Sequence, residues 1–266
     1  MKPSLLILAA ALATMSLGST AHAGLLDQLK SAVTSTNTGA TNSLPSAATT
    51  GALSQEQMVG GLKEALGKGV ERAVASLGRT NGFLTNVNVR IAMPEKLQKV
   101  ESVLRVAGQN QLADDFVSSM NHAAEKAVPV AAGVFGDAIK QMSIADAKAI
   151  LSGTNDAATQ YFRRTTHTNL QAKFYPIVQK ATDQVGVTAQ YKAMMGKFTA
   201  LDSVGSMFGS KSATKLSPGD VDAYVTDKAM DGLFKLVAEE EKNIRANPLA
   251  RTSDLLQQVF GSAPKK

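Results

Sequence analysis

From Leu53 to Phe260 apolar side chains recur at three- and four-residue intervals, and only one stretch switches to an interval of two. A period near 3.6 gives each segment a single apolar stripe, which is buried by packing helix against helix. The chain is therefore predicted to be mainly α, a compact multi-helix single domain over residues 53–261 with room for one short two-stranded β ribbon. No repeat at a fixed period of about 20–50 residues is present, which argues against a solenoid.

Local signals divide the stripe into helices. Ser54 and Gln57 have the spacing of a capping box, in which each side chain satisfies an otherwise unpaired backbone donor. Met58, Leu62, Ala65, Leu66, Ala73, Val74 and Leu77 follow on one face, and Gly78 marks the end. Gly60, Gly61, Gly67 and Gly69 each cost about 1 kcal/mol against alanine in a helix interior, so close backbone packing is expected to offset them. Pro94 opens the next helix and Gly108 stops it; Leu112 to Ala127 forms another, and Val134 to Met142 a further one beyond Pro129.

Ser143 and Asp146 cap a short helix, and Asn155 or Asp156 caps a long one that Pro176 is expected to kink or restart. Thr188 begins the next, residues 203–217 read as a surface loop, Pro218 opens the last section, and Asn247-Pro248 divides its two final helices. The break in period is Val87, Val89, Ile91 and Met93, the pattern of a half-buried strand. Its partner in a ribbon is expected at Ala213 to Leu216, far away in sequence.

The amino-terminal residues carry an address. Met1 and Lys2 lead into an apolar stretch of thirteen residues, Leu5 to Leu17, and Ala21-His22-Ala23 closes it with small side chains. A membrane-spanning helix needs about 20 apolar residues, so residues 1–23 read as a secretory signal peptide cut between Ala23 and Gly24. Residues 24–52 are rich in Ser, Thr and Ala without a large apolar set, and are expected to be a flexible, disordered linker; residues 262–266 form a short basic tail. The chain has no cysteine, which closes both the disulfide and the lipoprotein routes. The expectation is a periplasmic or secreted protein without a transmembrane anchor.

With 5% aromatic residues and no tryptophan, the core is expected to be aliphatic. Loss of Lys2 with the leader lowers the net charge from +6 to +5, and the basic residues are dispersed. That balance gives weak attraction to anionic surfaces and not the clustered footprint of a nucleic-acid binder.

Candidate chemistry is sparse. The glycines around Gly61, Gly67 and Lys68 miss the spacing of a phosphate-binding loop, and Gly69 stands where that loop needs Ser or Thr. Asp115, His122 and Glu125 share the flank of a helix at spacings that suit a metal, but a further ligand is needed from elsewhere; no metal and no cofactor is expected. His167, beside Arg163 and Arg164, suits a cation even less. Arg163, Arg164, Lys173 and Lys180 read as a solvated basic face. Of the acidic run Glu239 to Glu241, Glu241 has Arg245 four residues on, in the favourable order for a helical ion pair, while Glu240 lies on the apolar stripe and is expected to be buried against a partner such as Arg251.

Two blocks, GLKEALGKGVERAVASLGRTNGFL from Gly61 and YVTDKAMDGLFKLVAEEEKNIRANPLARTSDLLQQVFG from Tyr224, with NDAATQYF from Asn155 between them, resemble the bacterial family named domain of unknown function 4197. The resemblance covers nearly the whole chain after Leu53. It implies an exported, mainly helical protein of Gram-negative bacteria and supplies no catalytic residue. The reading is a binding or interaction protein of the cell envelope, acting on an envelope protein or a small ligand. Its alternative is an envelope hydrolase with a carboxylate-based site that the sequence does not identify; Asn155, Gln160, Glu240 and Arg251 are the candidate binding residues.

Overall fold

A computed structural model describes residues 54–205, 216–247 and 259. The signal peptide with its Ala23/Gly24 junction, the linker, Arg251 and the basic tail lie outside these residues. So does most of the proposed ribbon partner, of which only Leu216 is described.

The chain forms α1 (Gln55–Gly78), α2 (Gln98–Val106), α3 (Asn110–Ala127), α4 (Ala131–Gln141), α5 (Ile144–Ser152), α6 (Ala157–Gln184), α7 (Val187–Gly205) and α8 (Pro218–Ala246). The apolar periodicity explains this order, and serines start three of the helices. Ser54, Ser143 and Ser217 each accept from the backbone N–H three residues on, while Gln57, Asp146 and Asp220 reach back to the cap. Gly108 stops α2 at φ +73°, a left-handed conformation that costs glycine nothing.

The long helices α6 and α8 pack along each other. α1 lies against α8 and α4, and α3 lies against α6 and α7. The core between them is largely aliphatic, as expected, but six phenylalanines, Phe83, Phe116, Phe135, Phe162, Phe174 and Phe234, are also fully buried. Phe135 of α4 stands 4.9 Å from Phe162 of α6 and 5.8 Å from Phe234 of α8, tying three helices through tilted and edge-on ring contacts.

Several expectations need correction. No strand forms among the described residues, so the ribbon at 87–93 is absent there. The alternating burial is real nonetheless: Val89, Ile91 and Met93 are inside, Arg90 and Ala92 outside, and Val87 is 91% exposed. Helix α6 runs without interruption through Pro176 instead of restarting there. Residues 203–205 belong to α7 and not to a loop. In α1, Gly61 and Gly69 are buried, but an added Cβ at Gly60 or Gly67 would meet nothing within 4 Å, so close packing does not account for those two.

Among the described residues no helix is long and apolar enough to cross a membrane.

Candidate functional site

The segment that mimics a strand forms one wall of a groove on the described surface. Residues 88–92 run along α8 in the opposite direction to it, held at both ends by α8 side chains. Lys235 donates from Nζ to the Asn88 carbonyl (2.9 Å), and the Tyr224 hydroxyl donates to the Ala92 carbonyl (3.1 Å). Burial pushes the Tyr224 phenol above its ordinary range, and nearby Glu95 adds to the effect, which keeps the hydroxyl a donor. Close approach between the two tethers depends on Gly232: a Cβ there would stand 2.7 Å from the Phe83 ring and 3.2 Å from Val89.

The inner side of the segment is satisfied by a single side chain. Asn121 of α3, fully buried, accepts from the Ile91 N–H (2.8 Å) and donates to the Ile91 carbonyl (2.8 Å), and a third bond goes to Val117 (2.7 Å). One amide thus replaces the neighbouring strand that the sequence seemed to demand.

Between the segment and α8 lies a groove of about 320 Å³ lined by Arg90, Tyr224, Lys228, Asp231 and Lys235, with the backbone of 88–92 as one wall. That volume is at the low end of ligand pockets, about 300–1,000 Å³. Three cations face one carboxylate. Asp231 also faces Arg163 at 3.8 Å, outside the groove, and the Arg163 guanidinium lies 4.5 Å above the Phe234 ring. The Lys228 ammonium stands 5.8 Å from the Tyr224 ring centre.

The two buried glutamates lie elsewhere and serve the backbone. Glu241, 6% exposed, accepts from the N–H groups of Ala158 and Thr159 (both 2.9 Å) at the start of α6, and from the Thr159 hydroxyl. Asp156, expected as a cap, makes no capping bond; the carboxylate comes instead from α8. Arg245 pairs with Glu241 at 2.9 Å, as its spacing predicts, and also reaches the Ile150 carbonyl at 2.8 Å. Glu125, 5% exposed and not on a watery flank, accepts from the N–H groups of Asn81 (3.1 Å) and Phe83 (3.2 Å). It thereby fixes the turn after α1, where Asn81 sits at φ +60°.

Each member of the trio Asp115, His122 and Glu125 has another partner: His122 meets the Asn81 side chain at 2.9 Å, Asp115 accepts from Gln111 at 2.6 Å, and Glu125 holds the Asn81 and Phe83 N–H groups. Among the described residues no group of three His, Cys, Asp or Glu is placed to hold a metal ion.

Of the residues singled out from sequence, Asn155 and Gln160 lie exposed at the start of α6, with Gln160 donating to Asp156 at 3.0 Å. Glu240 is half-buried and faces Arg72 of α1 at 3.5 Å, while Arg251 lies outside the described residues. None of the first three lines the groove. Arg164 faces Asp146 at 3.6 Å, and Lys173 and Lys180 are exposed.

The residues that do line it were missed, although Tyr224, Lys228, Asp231 and Lys235 follow one another at intervals of four, three and four on one face of α8. That polar stripe is readable in the sequence; the segment lying beside it is not.

Comparison with known proteins gives one match: a family described as "Protein of unknown function (DUF4197)" matches residues 52–261. No curated protein and no solved structure matches.

Proposed function

The chain belongs to the DUF4197 family, and from that premise and the geometry of its groove we propose that it is a binding or interaction protein of the cell envelope. The observation that carries this reading is the lining of the groove: Arg90, Lys228 and Lys235 against the single carboxylate of Asp231. Such a set attracts and orients an anionic ligand. It does not supply the two carboxyl groups with separated proton affinities that carboxylate-based hydrolysis uses. The two most buried glutamates, Glu125 and Glu241, are committed to backbone N–H groups. The leader at residues 1–23 and the lack of cysteine support release into the periplasm or beyond as a protein without a lipid anchor.

A photo-crosslinking side chain placed at Ala92 or Lys228 tests the proposal in cells, with the exposed Lys180 of α6 as control position. The expected result is a discrete adduct in the osmotic-shock fraction from the two groove positions and none from the control. Recovery of only the bare chain from both groove positions under varied growth conditions overturns the binding role. Retention of the chain in the cytoplasm with residues 1–23 still attached overturns the location.

A further inference from the structure

The backbone of residues 88–92 faces two ways. The N–H and carbonyl of Ile91 both point to Asn121 on α3, while the carbonyl of Ala92 turns to Tyr224 on α8. Across a trans peptide unit the carbonyl and the N–H point in opposite directions, and the Arg90 carbonyl and the Ala92 N–H share their units with the Ile91 N–H and carbonyl that Asn121 holds. The Ala92 N–H and the Arg90 carbonyl therefore open toward the groove. Among the described residues neither has a hydrogen-bond partner. Together they make one donor and one acceptor at the spacing of a strand edge, between the tethers at Asn88 and Ala92.

We propose that this edge takes a short extended acidic segment of a partner protein, which adds to residues 90–92 through main-chain hydrogen bonds. Its carboxylates meet Arg90, Lys228 and Lys235. The proposal rests on the reading of the groove as a binding site and names the occupant. Strand addition draws affinity from the backbone pairing and selectivity from alternate side chains. Here the alternate positions face cations, since the charge of Asp231 is already opposed by Arg163. A free small anion would use the cations and leave the Ala92 N–H and Arg90 carbonyl unmatched. A peptide uses both. Val87, 91% exposed one residue before the groove, offers an apolar contact to a flanking side chain of the segment.

The test titrates the full chain, labelled for amide spectroscopy, with the peptide acetyl-Val-Glu-Val-Asp-Val-amide. Three further probes are the same peptide N-methylated at its central valine, glutarate and inorganic phosphate. The expected result is a saturable shift of the Arg90, Ala92, Lys228 and Lys235 resonances with the first peptide, and binding about tenfold weaker or worse for the N-methylated one, which keeps the charge and loses a backbone donor. The double variant Arg90→Glu/Lys228→Glu, with an unchanged melting temperature, is expected to weaken the first peptide by about tenfold or more. If that variant fails to fold, Arg90→Gln alone, on an exposed side chain, is expected to weaken it about threefold.

Equal binding of the N-methylated peptide, of glutarate or of phosphate overturns the peptide assignment in favour of a simple anion site. Absence of any groove shift with all four probes also overturns it. A groove adduct in cells combined with no peptide response removes only the acidic-peptide occupant, whereas peptide binding without an adduct in cells removes the envelope role and leaves the edge chemistry standing.

Discussion

Glu241 joins the start of α6 to the body of α8 and is balanced by Arg245, so its removal leaves two buried N–H groups without their acceptor and takes the opposing charge from the guanidinium. Glu241→Ala is expected to destabilise the protein by about 3–5 kcal/mol, the usual cost of breaking one side of a buried pair, and Glu241→Gln by less because one acceptor remains. Urea unfolding at neutral pH measures both. Asp222 has the opposite character. It is buried near the start of α8, where desolvation pushes its carboxyl above the ordinary range, Asp183 pushes the same way, and a 2.7 Å bond from the Thr182 hydroxyl pulls it back only in part.

Because the folded chain holds the Asp222 proton more tightly than the unfolded one, this group makes stability fall as pH rises from the ordinary aspartate value, about 3.9, through the raised folded value. Asp222→Asn keeps an acceptor for Thr182 and removes the charge. The variant is expected to melt a few degrees higher at pH 7, and the gain is expected to vanish below the ordinary aspartate value. Melting curves across the acid range check this; an unchanged Tm at pH 7 refutes it.

At the scale of elements, the segment 88–92 behaves as a strand without a sheet. Its period-two burial is legible in the sequence, and Asn86 holds the N–H groups of residues 88–90 locally, but the partners of the Ile91 backbone and of the Asn88 and Ala92 carbonyls are an asparagine thirty residues away and two helical side chains much further off, which no local pattern announces. Asn121→Leu keeps the branching at Cγ and strips both bonds to Ile91. It is expected to cost about 1–3 kcal/mol for each buried group left unpaired, seen as a lower urea midpoint, and to abolish the groove resonance shifts described above. Helix α6 teaches a related lesson. Pro176 removes one N–H and Asp156 fails to cap, yet the helix continues, because the apolar face at Phe162, Leu170, Phe174 and Val178 is fully buried and Glu241 supplies the missing cap.

For the molecule as a whole, the helical class and most helix starts are legible from the 3.6-residue period and the serine caps, since both are encoded within a few residues. What sets the site is not local. Glu125 and Glu241 read as surface charge or helical ion pairs because the N–H groups they serve lie 42 to 83 residues away. The low aromatic content likewise concealed that three of the phenylalanines meet at one junction. Phe135→Ala, which empties the contact between α4, α6 and α8, is expected to destabilise by about 3–5 kcal/mol, measured by urea unfolding. A cost near 1 kcal/mol would mean that the surrounding helices collapse into the space.

The tethers of segment 88–92 have a consequence in time. Asn88 meets Lys235 across 147 residues and Ala92 meets Tyr224 across 132, so both contacts close very long loops. A chain emerging from its amino-terminal end presents residues 88–92 early and α8 late. The groove therefore does not exist on a nascent or truncated chain. Its appearance reports that α8 has arrived, which makes ligand binding a readout of that late docking.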